Sequence, residues 1–192
     1  VEDVIWGNAT QVGEQGACLA RSAVLYSDYD ESVPGLSINR FCASGLEAIA
    51  QSAMRVMSGW SDIVIGGGLE SMTYVPMGGN LPRPHPEFTR KGAQVYTSMG
   101  ITAENVATRY KVSREAQDEF AYHSQCKAAE ARSKGLFKEI VATPATRYVP
   151  REDGTYKKET FMQGFDDGIR EDTTLEGLAG LNPVLAAGGS VT

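Results

Sequence analysis

A layered α/β fold is expected for this chain on three grounds. From Val1 to Met72 short apolar strands alternate with helices of 3.6-residue periodicity, the order that builds a parallel sheet covered by helices. The composition, 42% hydrophobic and 22% charged over 192 residues, is that of an ordinary globular protein able to bury one substantial core, or one core and a small lobe. No apolar run approaches the roughly 20 residues of a membrane span, and neither an internal repeat nor a low-complexity tract competes with this reading.

The elements follow in order. A strand is predicted near Val4 to Trp6, a helix from about Ala17 to Tyr26, and a strand around Leu36 within the partly β-branched stretch Val33 to Ile38. After Cys42, the residues Leu46, Ile49, Ala50, Ala53, Val56 and Met57 recur at helical spacing and are expected to form the buried face, until Gly59 stops the pattern. A strand at Ile63 to Ile65 is expected to end at Gly66-Gly67-Gly68, which either turns the chain or lets its backbone crowd a ligand.

From Tyr74 to about Thr97 the texture changes, with Pro76, Gly78, Gly79, Pro82, Pro84 and Pro86 marking a linker or long surface excursion. Two helices follow. The first is capped by Thr102 and carries Ala103, Val106, Ala107 and Tyr110 on one face; the second is capped by Ser113, with Glu115 and Asp118 near the positive end of its dipole. Ala116, Phe120, Ala121, Ala128 and Ala131 form the second apolar face, Gly135 ends it, and the pair reads as an αα-hairpin. A short strand at Glu139 to Ala142, an exposed charged stretch from Arg151 to Lys158, and a small helix at Thr174 to Leu181 closed by Asn182-Pro183 come next. Gly188 to Thr192 reads as entry into another strand.

The charge balance limits the partners. A net charge of −6 argues against broad binding to nucleic acid or anionic membranes, so an anionic ligand must be held by a local patch. Three cysteines without regular spacing fit a reducing intracellular compartment rather than a disulfide framework. With no Cys-x-x-Cys pair and only His85 and His123, no structural zinc site is expected.

Chemistry concentrates at Cys42, in Asn39-Arg40-Phe41-Cys42-Ala43-Ser44-Gly45 between a strand and a helix. Unpaired backbone N–H groups and the positive end of the dipole favour a thiolate there. The competing reading is a small buried core residue. Cys18 follows Gly16-Ala17 and precedes a helix, so it shares some of the argument; Cys126, mid-helix among Ala and Lys, reads as structural or as a surface thiol.

Five blocks, Asn39 to Gly45, Gly67 to Met72, Met99 to Ala107, Ser113 to Asp118 and Gly189 to Thr192, together resemble the thiolases, and more closely the degradative 3-ketoacyl-CoA thiolases than the acetoacetyl-CoA type. The resemblance implies an acyltransferase that cleaves a 3-ketoacyl-CoA with free CoA through a Cys42 thioester, in fatty-acid β-oxidation. Acyl-CoA and CoA would be substrates, with no resident cofactor. Met99 matches a family position beside the acyl group and Ser98 one near the pantetheine; a core methionine and a helix-entry serine are the plain alternatives. Relatives commonly carry arginine at the place of Asn182, which leaves Arg83, Arg90, Lys91 and Lys134 as candidate cations for the nucleotide end.

The implied fold is a thiolase-like α-β-α-β-α layering, represented by a partial N-terminal half with an inserted loop domain. Residues 1–73 would belong to the catalytic half, 74–188 to the loop domain covering CoA, and 189–192 to the strand returning to the catalytic half. The resemblance also implies an interior piece lacking the family's first strand and its C-terminal half, where an activating histidine, a second cysteine and an asparagine-held water reside. Little turnover is expected of these residues alone. The full-length form is expected to be a homodimer or homotetramer, cytoplasmic first, with mitochondrial and peroxisomal locations left open. An acetyl-CoA acetyltransferase is the nearest alternative, and a non-catalytic acyl-CoA or lipid-binding protein on the same fold is another.

Overall fold

The computed structural model describes residues 1–192 apart from Ala93 and divides into two compact units, residues 1–92 and 93–192. In the first, β1 (Asp3–Gly7), β2 (Gly35–Ile38) and β3 (Val64–Gly68) form a parallel sheet in the order β2-β1-β3. The helices α1 (Leu19–Tyr26) and α2 (Ser44–Met57) are the crossovers. In register, Val4 pairs with Gly35 and Ile65, and Gly7 with Ile38 and Gly68.

Side chains alternate across β1, so its two faces receive different helices. Val4 packs with Ala20, Val24 and Val33 beneath α1, joined by Trp6 and Ile65. The opposite face carries Asp3, Ile5 and Gly7, and meets α2. There Asp3 pairs with Arg55, and Ile5 and Ala48 are fully buried. Each fully buried aliphatic side chain contributes about 2 kcal/mol.

The packing of α2 corrects the sequence expectation. Its buried residues are Ser44, Ala48 and Ser52, while the large apolar residues expected inside are exposed, Leu46 at 71% and Met57 at 85%. Small residues face the sheet because the backbones nearly touch. A Cβ on Gly7 would fall on the carbonyl of Ser44 and lie 2.5 Å from Gly45 N; one on Gly66 would lie 2.7 Å from Ser52 Oγ. For the same reason Gly66-Gly67-Gly68 is not a turn but the end of β3, hydrogen-bonded beside β1.

The excursion after Tyr74 returns to the first unit: Val75 is 1% exposed, and a Cβ on Gly13 or Gly79 would meet Val75 or Val12. It also forms a short helix, α3 (Pro86–Arg90), whose start is capped by His85 Nδ1 accepting from Glu87 N.

In the second unit α4 (Met99–Tyr110) begins three residues before the predicted cap. Ser98 Oγ accepts Ile101 N–H, whereas Thr102 Oγ1 donates to Ser98 O from within the helix. Its buried residues are Glu104 and Ala107, while Val106 and Tyr110 are exposed. Ser113 caps α5 (Arg114–Ser133) as expected, and Gly135 follows it with φ +61°. Rather than folding back as a hairpin along α4, α5 packs chiefly on α6 (Leu175–Ala179), capped by Thr174.

No strand forms at Glu139 to Ala142. Instead β4 (Thr143–Pro150) and β5 (Tyr156–Gln163) pair antiparallel, and the charged stretch from Arg151 forms their turn and the start of β5, fully exposed as expected. Gly154, at φ +79°, and Asp153 Oδ1 accepting Thr155 N–H close that turn. Residues 189–192 are likewise not a strand; Ser190 and Val191 donate their N–H groups to Glu104.

Candidate active site

Ligands of open parallel sheets gather at the carboxyl ends of the strands where the strand order reverses. Here that point is the end of β1, between β2 and β3. Three loops leave this edge, after Gly7, after Ile38 and after Gly68, and side chains tie them together. Asn8 Nδ2 donates to Leu69 O at 2.9 Å, and Asn39 Nδ2 donates to Ala9 O at 3.0 Å. Glu70 accepts Ala9 N–H at 2.7 Å and Gln15 Nε2 at 2.8 Å, while Gln15 Oε1 accepts Ser71 N–H. Asn8 Oδ1 is buried and without a partner among the described residues.

Cys42 lies on the middle loop, two residues before α2, and is exposed. It is neither sealed in the core nor part of the helix. The residue before it, Phe41, takes φ +48°, a region unfavourable for a bulky side chain. The chain therefore turns sharply there, presenting Cys42 at the head of α2. The short β-bridge between Arg40 and Cys42 and the Arg40–Glu47 ion pair at 3.0 Å flank the turn.

Cys18 is also exposed and also precedes a helix, with φ +57° following Ala17 at +54°. Partial burial raises its pKa, but the Arg21 N–H, the Ser37 hydroxyl and N–H, and the Arg21 charge outweigh this and hold the thiol below its ordinary range. Ser37 Oγ lies 3.7 Å from its sulfur. Cys126, on α5, is exposed.

The remaining candidates divide between the units. Ser98 and Met99 stand together at the start of α4 in the second unit. Ser98 performs the helix-entry role, and Met99 is 65% exposed, so it is not a core methionine. Arg90 is engaged by Glu87 at 2.7 Å within α3, and Lys134, the residue after α5, by Glu130, while Arg83 and Lys91 are exposed. His123 lies on α5 with Nε2 3.8 Å from Glu119 Oε1. Among the described residues no group of three His, Cys, Asp or Glu side chains could hold a metal ion. None of their helices is long and apolar enough to cross a membrane. Two surface hollows, of about 300 Å³ beside Thr102, Asn105 and Arg109 and about 480 Å³ beside Met54, Arg55 and Trp60, include neither Cys42, Ser98 nor Met99 in their walls.

The sequence singles out the thiol but not the residues that tie the strand-end loops together, Asn8, Gln15, Asn39 and Glu70, nor Ser44 in the turn itself. A visible signal was that Asn39, Ser44 and Glu70 lie inside the same short blocks as Cys42 and Gly67.

A parallel sheet with an exposed cysteine on a tight turn at the head of a crossover helix defines a thiol-bearing α/β protein. The chain belongs to the thiolase family, matching the "Thiolase, N-terminal domain" over residues 1–192. It is 42% identical over 193 residues to the 3-ketoacyl-CoA thiolase of Bacillus subtilis (strain 168), covering 100% of this chain and 49% of that protein. It is 45% identical over 193 residues to the peroxisomal 3-ketoacyl-CoA thiolase of Homo sapiens, covering 99% of this chain and 44% of that protein. The crystal structure of the Bacillus anthracis acetyl-CoA acetyltransferase aligns with a TM-score of 0.77 at 33% identity, over 100% of this chain and 49% of that one. The chain thus spans about half the length of the relatives it matches.

Proposed function

We propose that the protein containing this chain is an acyltransferase that cleaves a 3-ketoacyl-CoA with CoA, and that Cys42 is its nucleophile. The observation that carries the reading is an exposed thiol on the turn at Phe41, at the carboxyl edge of a parallel sheet and the head of α2. The names borne by relatives at 42% and 45% identity support the degradative direction.

In the first half-reaction the Cys42 thiolate attacks the 3-keto carbon. The bond between C2 and C3 breaks, the acyl group stays on sulfur as a thioester, and the departing acetyl-CoA enolate takes up a proton. In the second, a CoA thiol loses its proton and attacks the thioester carbonyl, forming the shortened acyl-CoA and freeing the Cys42 thiolate. A thiol suits both steps, being a strong nucleophile and a good leaving group. Ser98 and Met99, at the head of α4, are assigned to the pantetheine and the acyl group. In this reading β-oxidation is the setting, the working form is a homodimer or homotetramer, and no resident cofactor takes part.

The test is mass spectrometry of the full-length protein quenched after exposure to an acyl-CoA. The acyl mass is expected on Cys42, with acylation abolished by Cys42→Ser; acyl mass on Cys18 or Cys126 alone would overturn the assignment. A second reading, acetyl-CoA acetyltransferase, draws on the similarity to the Bacillus anthracis enzyme. Rates on acetoacetyl-CoA and on a ten-carbon 3-ketoacyl-CoA separate the two, a strong preference for acetoacetyl-CoA favouring the second.

A further inference from the structure

The turn that carries Cys42 is unfavourable as a backbone and must be held by something. Phe41 sits at φ +48° without being glycine, asparagine or aspartate, and its side chain is exposed, so core packing does not force the conformation. What surrounds it is a set of side-chain hydrogen bonds to three consecutive peptide groups. Ser44 Oγ accepts the Arg40 N–H at 2.8 Å, Asn39 Oδ1 accepts the Phe41 N–H at 2.8 Å, and Ser44 Oγ donates to the Phe41 carbonyl at 2.6 Å. The peptides 39–40, 40–41 and 41–42 are each fixed by one of two side chains. Backbone bonds from Ala43 N–H to the Arg40 carbonyl at 3.1 Å and from Ser44 N–H to the Phe41 carbonyl at 3.0 Å close the same turn, and the side-chain bonds add to them in fixing Phe41 and the direction in which the chain enters Cys42.

The two clamps are themselves anchored. Ser44 is 4% exposed and sits against Gly7, where the backbones of β1 and α2 come closest. Asn39 is exposed but uses its other end, Nδ2, to hold the Ala9 carbonyl at 3.0 Å, and Glu70 holds the N–H of Ala9 at 2.7 Å. The turn is thus referenced to the ends of both β1 and β3. The Arg40–Glu47 ion pair, with its arginine 67% exposed, contributes no bond to Phe41 or Cys42.

We propose that Asn39 and Ser44 are positioning residues for the Cys42 nucleophile, holding Phe41 in the left-handed conformation so that the sulfur is aimed at the reacting carbonyl. This rests on the thiolase reading given above. Neither residue is assigned contact with substrate; each acts through the backbone of Phe41. Loss of either clamp lets Phe41 relax toward an ordinary conformation and moves the sulfur, which lowers the rate of bond formation more than the binding of the CoA ester.

The experiment compares full-length wild type with Asn39→Ala, Asn39→Asp and Ser44→Ala. It measures the time course of acyl transfer to Cys42 by mass spectrometry, kcat and KM for a 3-ketoacyl-CoA, and the melting temperature. Asn39→Ala and Ser44→Ala are expected to slow Cys42 acylation and lower kcat by about ten- to a hundredfold, with KM within about twofold of wild type. Asn39→Asp keeps an oxygen that accepts the Phe41 N–H but loses the Nδ2 donor to the Ala9 carbonyl, and is expected to recover only part of the loss. Because Asn39 is exposed, its variants remain folded and decide the matter if Ser44→Ala does not. Wild-type acylation rates in Asn39→Ala, or a raised KM with kcat unchanged, would overturn the assignment while leaving the thiolase reading intact. Absence of acyl mass on Cys42 in wild type would overturn both.

Discussion

Each of the two compact units is stabilised internally by different forces. Residues 1–92 are organised around a sheet with a hydrophobic cluster under α1 and a second helix, α2, laid against bare backbone at Gly7 and Gly66. In residues 93–192 the buried residues of the main helices are Glu104, Ala107 and Asp118, and the hairpin β4–β5 is mostly exposed. Polar clamps replace a core: Glu104 on the N–H groups of Ser190 and Val191, Gln117 on Ser190 Oγ, and Arg114 bridging Asp118 and the Leu178 carbonyl. Backbone-close packing holds a turn within a narrow range, as the nucleophile proposed at Cys42 requires. Charged clamps hold segments in place with a stability that varies with pH.

The largest effect is expected where the first unit is tightest. Gly7→Ala places a methyl group on the Ser44 carbonyl, which only a shift of α2 can relieve, and should cost about 3 kcal/mol or more in urea unfolding. A near-neutral result would break the claim that direct backbone contact sets the position of α2.

In the second unit, Arg114→Met removes the partner of a mostly buried carboxylate and the donor to Leu178 O. A loss of about 1–3 kcal/mol is expected by the same measurement. If this equals or exceeds the Gly7 effect, the contrast between the units reverses.

Glu104→Gln sharpens the comparison through pH. Hydrogen bonds from the Ser190 and Val191 N–H groups hold this carboxyl below its ordinary value of 4.5. Its charge therefore stabilises the folded form fully above that value, and the contribution is lost as pH falls through the lowered one. Wild type should melt above Glu104→Gln at neutral pH, with the gap closing as pH drops from about 6 to about 3. A constant gap would show that the charge is irrelevant.

The smallest effect concerns Cys18. Removing the Ser37 hydroxyl with Ser37→Ala takes away one of the interactions that lower this thiol. The pH midpoint of its alkylation by iodoacetamide should rise toward the ordinary 9.0. An unchanged midpoint would leave the backbone N–H groups and Arg21 as the whole cause.

Local signals in the chain were legible where a single residue type has one mechanical use. Ser113 caps the helix expected of it, α6 lies within the helix expected at Thr174 to Leu181, Gly135 follows α5, and the strand at Val4 to Trp6 falls inside β1. Two nearby hydroxyls at Ser98 and Thr102 could each cap a helix, and the chain takes the earlier one. The Asp153-Gly154 pair, a recognised hairpin signal, is masked by the charged residues around it, so the β4–β5 hairpin does not stand out from the sequence. Gly66 to Gly68 looked like a turn because glycine usually is one. Here Gly66 admits α2 at Ser52 and Ile49, more than ten residues away, while Gly68 lies close against the backbone of Gly7.

The α/β order of elements, the Ser113 cap and the placing of a thiol between a strand and a helix were therefore determined by the sequence alone, since caps, periodicity and glycine punctuation act within a few residues, whereas the exposure of that thiol was decided by the fold. Which face of α2 is buried, and how the Cys42 turn is tied to β1 and β3, was decided only by the tertiary structure. Asn39 reaches Ala9 thirty residues back, and Glu70 reaches Ala9 and Thr10 from about sixty residues on. Contacts of that span form only when a folded sheet brings the strand ends to one edge, and no periodicity in the chain encodes them.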